Sequence, residues 1–145
     1  MPLHLVKLCV GCDSVDDLSH WIAERAAEKR RHGLPPYHVH RTRQMPKRGE
    51  EMLGGGSLYW VIRGEMRVRE AIVELNAVID DQGVPHCDIV LSGRLVPVEP
   101  KRMRPFQGWR YLAAEAAPRD LPRLGEGAVE LPAEFVRELA VLGLL

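Results

Sequence analysis

The stretch GGGSLYWVIRG, residues 54–64, constrains the fold more than any other segment. Three glycines lead straight into aromatic and β-branched residues, the composition of a strand. A phosphate-cradling loop needs the opposite arrangement. The P-loop places Lys and then Ser or Thr after its last glycine, and the dinucleotide fingerprint runs from a strand, through glycines, into a helix. Here no Lys follows and the strand comes after, so the glycines read as the end of a short helical turn that begins at Pro46 and as the release of the chain into Leu58–Arg63. Adjacent strand residues point to opposite faces, so Tyr59 and Trp60 must diverge. One is expected in the core and the other at the surface.

The rest of the chain builds around that strand. LHLVKLCV alternates, with Leu3, Leu5 and Cys9 on one side and Leu8 and Val10 on the other, as a central strand does. The segment after it has helical spacing: Asp13 or Ser14 caps it, Asp16 and Asp17 occupy the first turn, Leu18, Trp21 and Ile22 form the buried stripe, and Gly33 with Pro35–Pro36 ends it. YHVHRTR reads as a short strand. RVREAIVELNAVID fits both periods, but the DDQG that follows and the β-rich CDIVLSG favour two strands joined at Asp81–Gly83. RLVPVEP suits a sheet edge, since Pro97 and Pro100 cannot donate to a ladder. GWRYL is a further short strand, residues 113–130 an acidic surface connection, and LPAEFVRELAVLGLL an amphipathic C-terminal helix. Strands grouped between two helices predict one α+β domain over residues 1–145, with a mostly antiparallel, partly closed sheet.

At 145 residues the chain is long enough to bury roughly 70% of its unfolded surface without staples. Its formal net charge is zero, so no global field draws it to nucleic acid or membrane. Charge is nevertheless unevenly spread. Residues 38–69 sum to +4, residues 101–112 carry four basic residues and no acid, and residues 113–145 sum to −3. MPLHLVKLCVGC, broken by His4 and Lys7, is not expected to act as a signal peptide, and no run reaches the length expected of a bilayer span. Three cysteines without a secretion signal predict thiols in a reducing cytoplasm, not a disulfide.

CVGC has the spacing of a zinc half-site or a redox pair, but Cys87 and His86 complete no second half, and structural thiols are the preferred reading. His38 and His40 share a strand face without a third ligand, as on an exposed basic strand. No metal and no cofactor is expected. GGGSL lacks the closing glycine of a hydrolase elbow. What remains is the interleaving of basic and aromatic residues in HVHRTRQMPKR, SLYWVIRG and KRMRPFQGWRYL. Cations neutralise phosphate and flat side chains stack bases. The candidate binding residues are therefore Arg41, Arg43, Lys47, Arg48, Tyr59, Trp60, Arg63, Trp109 and Arg110, for RNA or a nucleotide-like ligand in a basic cleft. Two other classes compete. One is a small enzyme using His38, His40 or Cys12 with Glu50 on a phosphorylated or acyl substrate. The other is an interaction module docking through the C-terminal helix.

The segments HLVKLCVG, SVDDLSHW, GGGSLYWVIRG and RPFQGWRYL resemble the domain-of-unknown-function family 1489, small uncharacterised proteins found mainly in alphaproteobacteria. The resemblance runs to about Leu112 and implies no activity. The layout is also similar to PUA-like pseudo-barrels, the ASCH and EVE domains. That likeness implies RNA or modified-base binding in a cleft near Lys47, Arg48, Trp60 and Arg63.

Overall fold

The computed structural model describes residues 2–121. The elements in chain order are β1 (His4–Leu8), α1 (Val15–Arg31), β2 (His38–Thr42), a 3₁₀ turn (Gly49–Glu51), β3 (Ser57–Ile62), β4 (Glu65–Ile79), β5 (Pro85–Leu91), β6 (Val96–Arg102), β7 (Trp109–Leu112) and a second 3₁₀ turn (Ala114–Ala116). The expected C-terminal helix lies outside the described residues, as does the second half of the acidic connection, residues 122–130.

The strands form one sheet in the order β2-β5-β4-β3-β1-β7, with β6 also paired to β4. Only β1 and β3 run parallel; every other pairing is antiparallel. The protein is thus mixed α and β, with a large, mostly antiparallel, open sheet. The expected pseudo-barrel is not formed, because β2 and β7 end the strand order without pairing to each other. The strand reading of 65–79 is correct, and its length explains its double period. Its first half, Glu65–Ala71, pairs with β3, and its second half, from Ile72, pairs with β5.

The sheet has two apolar faces. On one, Leu5, Leu58, Trp60, Val68, Ile72, Ile89 and Leu91 pack beneath Leu18 and Ile22 of α1. On the other, Val6, Tyr59, Val61, Val98 and Leu112 are covered by Met103, Phe106, Ala116 and Ala117. Burial on both faces is why β1 and β3 read as near-continuous hydrophobic runs. Helix α1 begins where expected: Ser14 Oγ accepts from Asp17 N–H at 3.2 Å, and Asp17 Oδ2 accepts from Asp13 N–H at 3.0 Å, a reciprocal cap. Trp21 departs from the expected stripe. It is 38% exposed, with the Arg25 guanidinium 3.7 Å from its ring centroid.

The three glycines do what their position suggests. Gly56 N–H donates to Met52 carbonyl at 2.7 Å, closing the turn, and Gly56 carbonyl accepts from Ile72 N–H at 3.0 Å, opening the sheet. Cys9 and Cys12 are joined as a disulfide across the β1–α1 connection, which corrects the expectation of two thiols. Cys87 is a free, buried cysteine, and burial pushes its thiol pKa up.

Candidate functional site

After β2 the chain turns through Thr42, whose hydroxyl accepts from Gln44 N–H at 3.3 Å and donates to Gln44 carbonyl at 3.1 Å. This local loop carries residues 43–48 toward β7 at the far end of the strand order. Trp109 Nε1–H donates to Gln44 carbonyl at 3.0 Å, and Arg48 N–H donates to Tyr111 hydroxyl at 3.2 Å. The crossing leaves a hollow of about 410 Å³ whose wall includes Lys7, Arg41, Arg43, Gln44, Gln107 and Trp109. Among the described residues, no acidic side chain lines it.

The cations there differ in availability. Arg41 is committed to Asp88, with Nε to Oδ1 at 2.7 Å and Nη2 to Oδ2 at 3.1 Å. Arg43 and Lys7 have no hydrogen-bond or ion-pair partner among the described residues. Lys7 is set by register: it stands opposite Trp60 on β3 and opposite Trp109 on β7. Burial holds its ammonium pKa below the ordinary value. Opposing strand residues share a face, so Lys7 lies on the same side of the sheet as the two indoles.

Behind this wall lies a buried polar cluster. Glu70 is 0% exposed and accepts three donors: His38 Nδ1–H at 2.8 Å to Oε1 and 3.1 Å to Oε2, Trp60 Nε1–H at 2.9 Å, and Gly93 N–H at 3.2 Å. His38 is 3% exposed, and its Nε2 has no partner among the described residues. His40 sits edge-on to Trp60 with centroids 5.4 Å apart, and its Nε2 likewise has no partner among the described residues. Burial first, then the charges of Lys7, His38 and Arg25, lower the His40 pKa to about 4.

That shift predicts acid lability. Between the ordinary 6.5 and about 4, the unfolded chain binds a proton at His40 that the folded chain refuses, so stability is lost as pH falls through this window. His4, lowered by burial and by Arg69, acts with the same sign. Asp80, held down by Val84 N–H and by His86, and Asp88, held down by Arg41, extend the loss to lower pH. His40 alone is worth on the order of 2–3 kcal/mol. Urea midpoints taken between pH 7 and 4 are expected to fall, and His40→Gln is expected to flatten the slope.

The nine candidate residues separate. Arg41, Arg43 and Trp109 meet in the hollow with Lys7. Lys47 and Arg48 line a neighbouring hollow of about 370 Å³ that also holds Glu50 and Glu51. There Arg48 is paired to Glu51 at 2.6 Å. Tyr59 and Trp60 are both buried, at 4% and 2% exposure, so neither stacks on a ligand at the surface. The expectation of one available ring fails because both sheet faces are covered. Arg63, at φ 52°, forms the β3–β4 hairpin turn with Gly64 and lines neither hollow. Arg110 faces away from Trp109 and lies 5.2 Å over the Phe106 ring. His38 is buried and bonded to Glu70, which corrects the reading of an exposed basic strand. Glu50 is exposed beside the second hollow, and the carboxylate that meets a histidine is Glu70.

Two residues escaped the sequence reading. Lys7 interrupts the inward alternation Leu3, Leu5, Lys7, Cys9, and Glu70 interrupts Val68, Glu70, Ile72. A charge on an apolar strand face is the signal that finds both. Among the described residues, no three His, Cys, Asp or Glu side chains come together as a metal site, and no helix is long and apolar enough to cross a membrane.

A family model described as "Protein of unknown function (DUF1489)" matches residues 5–145. No curated protein and no solved structure matches the chain.

Proposed function

The chain belongs to the DUF1489 family, whose function is unknown, and from its own geometry we propose that it binds a nucleotide-like ligand, a planar ring carrying phosphate, either free or as part of an RNA strand. The observation that carries this reading is the meeting of Lys7, Arg43 and Trp109, from three separate segments, in one acid-free hollow. An ammonium and a guanidinium held together without a carboxylate repel each other until an anion arrives. Phosphate supplies that anion, and a guanidinium can meet two of its oxygens at once. The Trp109 indole, fixed by its bond to Gln44 carbonyl, offers a face to a flat ring. At about 410 Å³ the hollow is within the size range of small-molecule sites.

The test is a tryptophan-fluorescence titration with nucleoside monophosphates and, separately, with short RNA oligomers, each at low and at raised salt. Binding that weakens with salt is expected in at least one arm. Tighter binding of RNA than of monophosphate assigns the strand, and equal binding assigns the free nucleotide. Arg43→Glu is expected to lower affinity at least about tenfold, and Trp109→Ala by 1–3 kcal/mol, roughly 5- to 150-fold. Arg48→Glu, in the neighbouring hollow, is expected to change it little. No binding at low salt in either arm, or unchanged affinity in Arg43→Glu, overturns the reading.

A further inference from the structure

We infer that Lys7 is an amine nucleophile and that the hollow takes a phosphorylated carbonyl compound, an aldehyde on a planar ring, which Lys7 holds as an imine. The inference rests on the ligand-binding reading of the same hollow and adds the ligand's reactive group.

Lys7 stands apart from the other three lysines of the chain. Lys29 donates to Tyr37 carbonyl, Lys101 donates to Ala116 carbonyl at 2.7 Å, and Lys47 is exposed at the second hollow. Lys7 alone rises from the inward face of a central strand, on the same side of the sheet as the indoles of Trp60 and Trp109. It has no partner among the described residues, and no carboxylate lines its hollow. Arg43 shares its hollow, and Arg41 there is already paired to Asp88. Burial lowers the Lys7 ammonium pKa, which raises the share of uncharged amine without removing the cation that phosphate meets. An uncharged amine has the free electron pair that carbonyl addition needs.

The step balances without a further reactant. The Nζ electron pair attacks the carbonyl carbon, the π pair moves to oxygen, and a proton passes from nitrogen to that oxygen. The resulting carbinolamine loses its hydroxyl with the second amine proton as water, and the C=N bond forms. Arg43 and the phosphate fix the other end of the ligand.

Pyridoxal 5′-phosphate has all three features and serves as the probe. The full chain is incubated with it, reduced with borohydride so that hydride adds to the imine carbon, and mapped by mass spectrometry. The expected result is a secondary amine at Lys7 that forms at least about tenfold faster than at Lys29, Lys47 or Lys101. Pyridoxal without phosphate is expected to lose that preference, Arg43→Glu to slow it, and Lys7→Arg to abolish it. Equal labelling of the four lysines, or a spared Lys7, overturns the inference. If nucleoside monophosphate binding persists in that case, the ligand-binding reading stands without it. Labelling of Lys7 as fast by pyridoxal as by its phosphate overturns the phosphorylated class.

Discussion

Glu70→Ala is expected to cost about 3–5 kcal/mol, read as a lowered urea midpoint at neutral pH. The carboxylate is fully buried and holds donors from three places: His38 on β2, Trp60 on β3, and the Gly93 backbone after β5. Removing it strands an imidazole N–H, an indole N–H and a backbone N–H inside the protein, and each unsatisfied group carries its own desolvation cost. Glu70→Gln keeps the shape and one acceptor oxygen, so it is expected to lose less than half as much. A Glu70→Ala midpoint within 1 kcal/mol of the parent would contradict the account of the cluster, because nothing else among the described residues can take those donors. Function follows the same network. Trp60, bonded to Glu70, stands opposite Lys7 in the β1–β3 register, so loosening Glu70 is expected to weaken ligand binding even where the fold survives.

Gly56→Val is expected to cost more than 4 kcal/mol or to prevent folding, the range reserved for direct backbone conflict. A Cβ at Gly56 would lie 2.4 Å from Leu3 carbonyl oxygen, 2.6 Å from Met52 carbonyl oxygen and 2.9 Å from Met52 Cα. All three are backbone atoms at the point where the strand β3 leaves its turn against the start of β1, so no side chain can swing aside. Gly54 has nothing within 4 Å of the same position, and Gly54→Ala is expected to stay within about 1 kcal/mol. The pair of variants separates a packing requirement from a general need for flexible glycines. Thermal melts of both, compared with the parent, decide it, and equal destabilisation by the two would contradict the packing account.

The legible parts of this fold are those decided by neighbours in sequence. The cap at Ser14, the end of α1 at Gly33, the turn at Asp81–Gly83 and the strand character of 57–62 and 85–91 each follow from a local rule. What the sequence left hidden is how strands far apart are ordered. The parallel β1–β3 pair brings Lys7 beside Trp60, and the β1–β7 pair brings it beside Trp109; neither contact has a local signature. Arg41, Arg43 and Trp109 were legible as residue types suited to phosphate and a ring. Their convergence depends on the loop after β2 reaching β7, which Thr42 and Gln44 arrange through backbone bonds. Tyr59 and Trp60 misled for one reason: alternation assigns two residues to two faces, but it does not say that a second layer, residues 103–117, covers the outer one. Lys47, Arg48 and Arg63 were grouped with the others by proximity in sequence and by charge. In space Arg48 is paired with Glu51, and Arg63 belongs to a turn.

Nuclear magnetic resonance mapping of a nucleoside monophosphate titration tests the central claim most directly, because the two hollows lie on different backbone segments. The account predicts that the Trp109 indole N–H and the amides of Lys7, Arg43, Gln44 and Gly108 shift together and saturate, while Arg48–Leu53 stay in place. Saturating shifts confined to Arg48–Leu53, or none at the Trp109 indole at low salt, would contradict it.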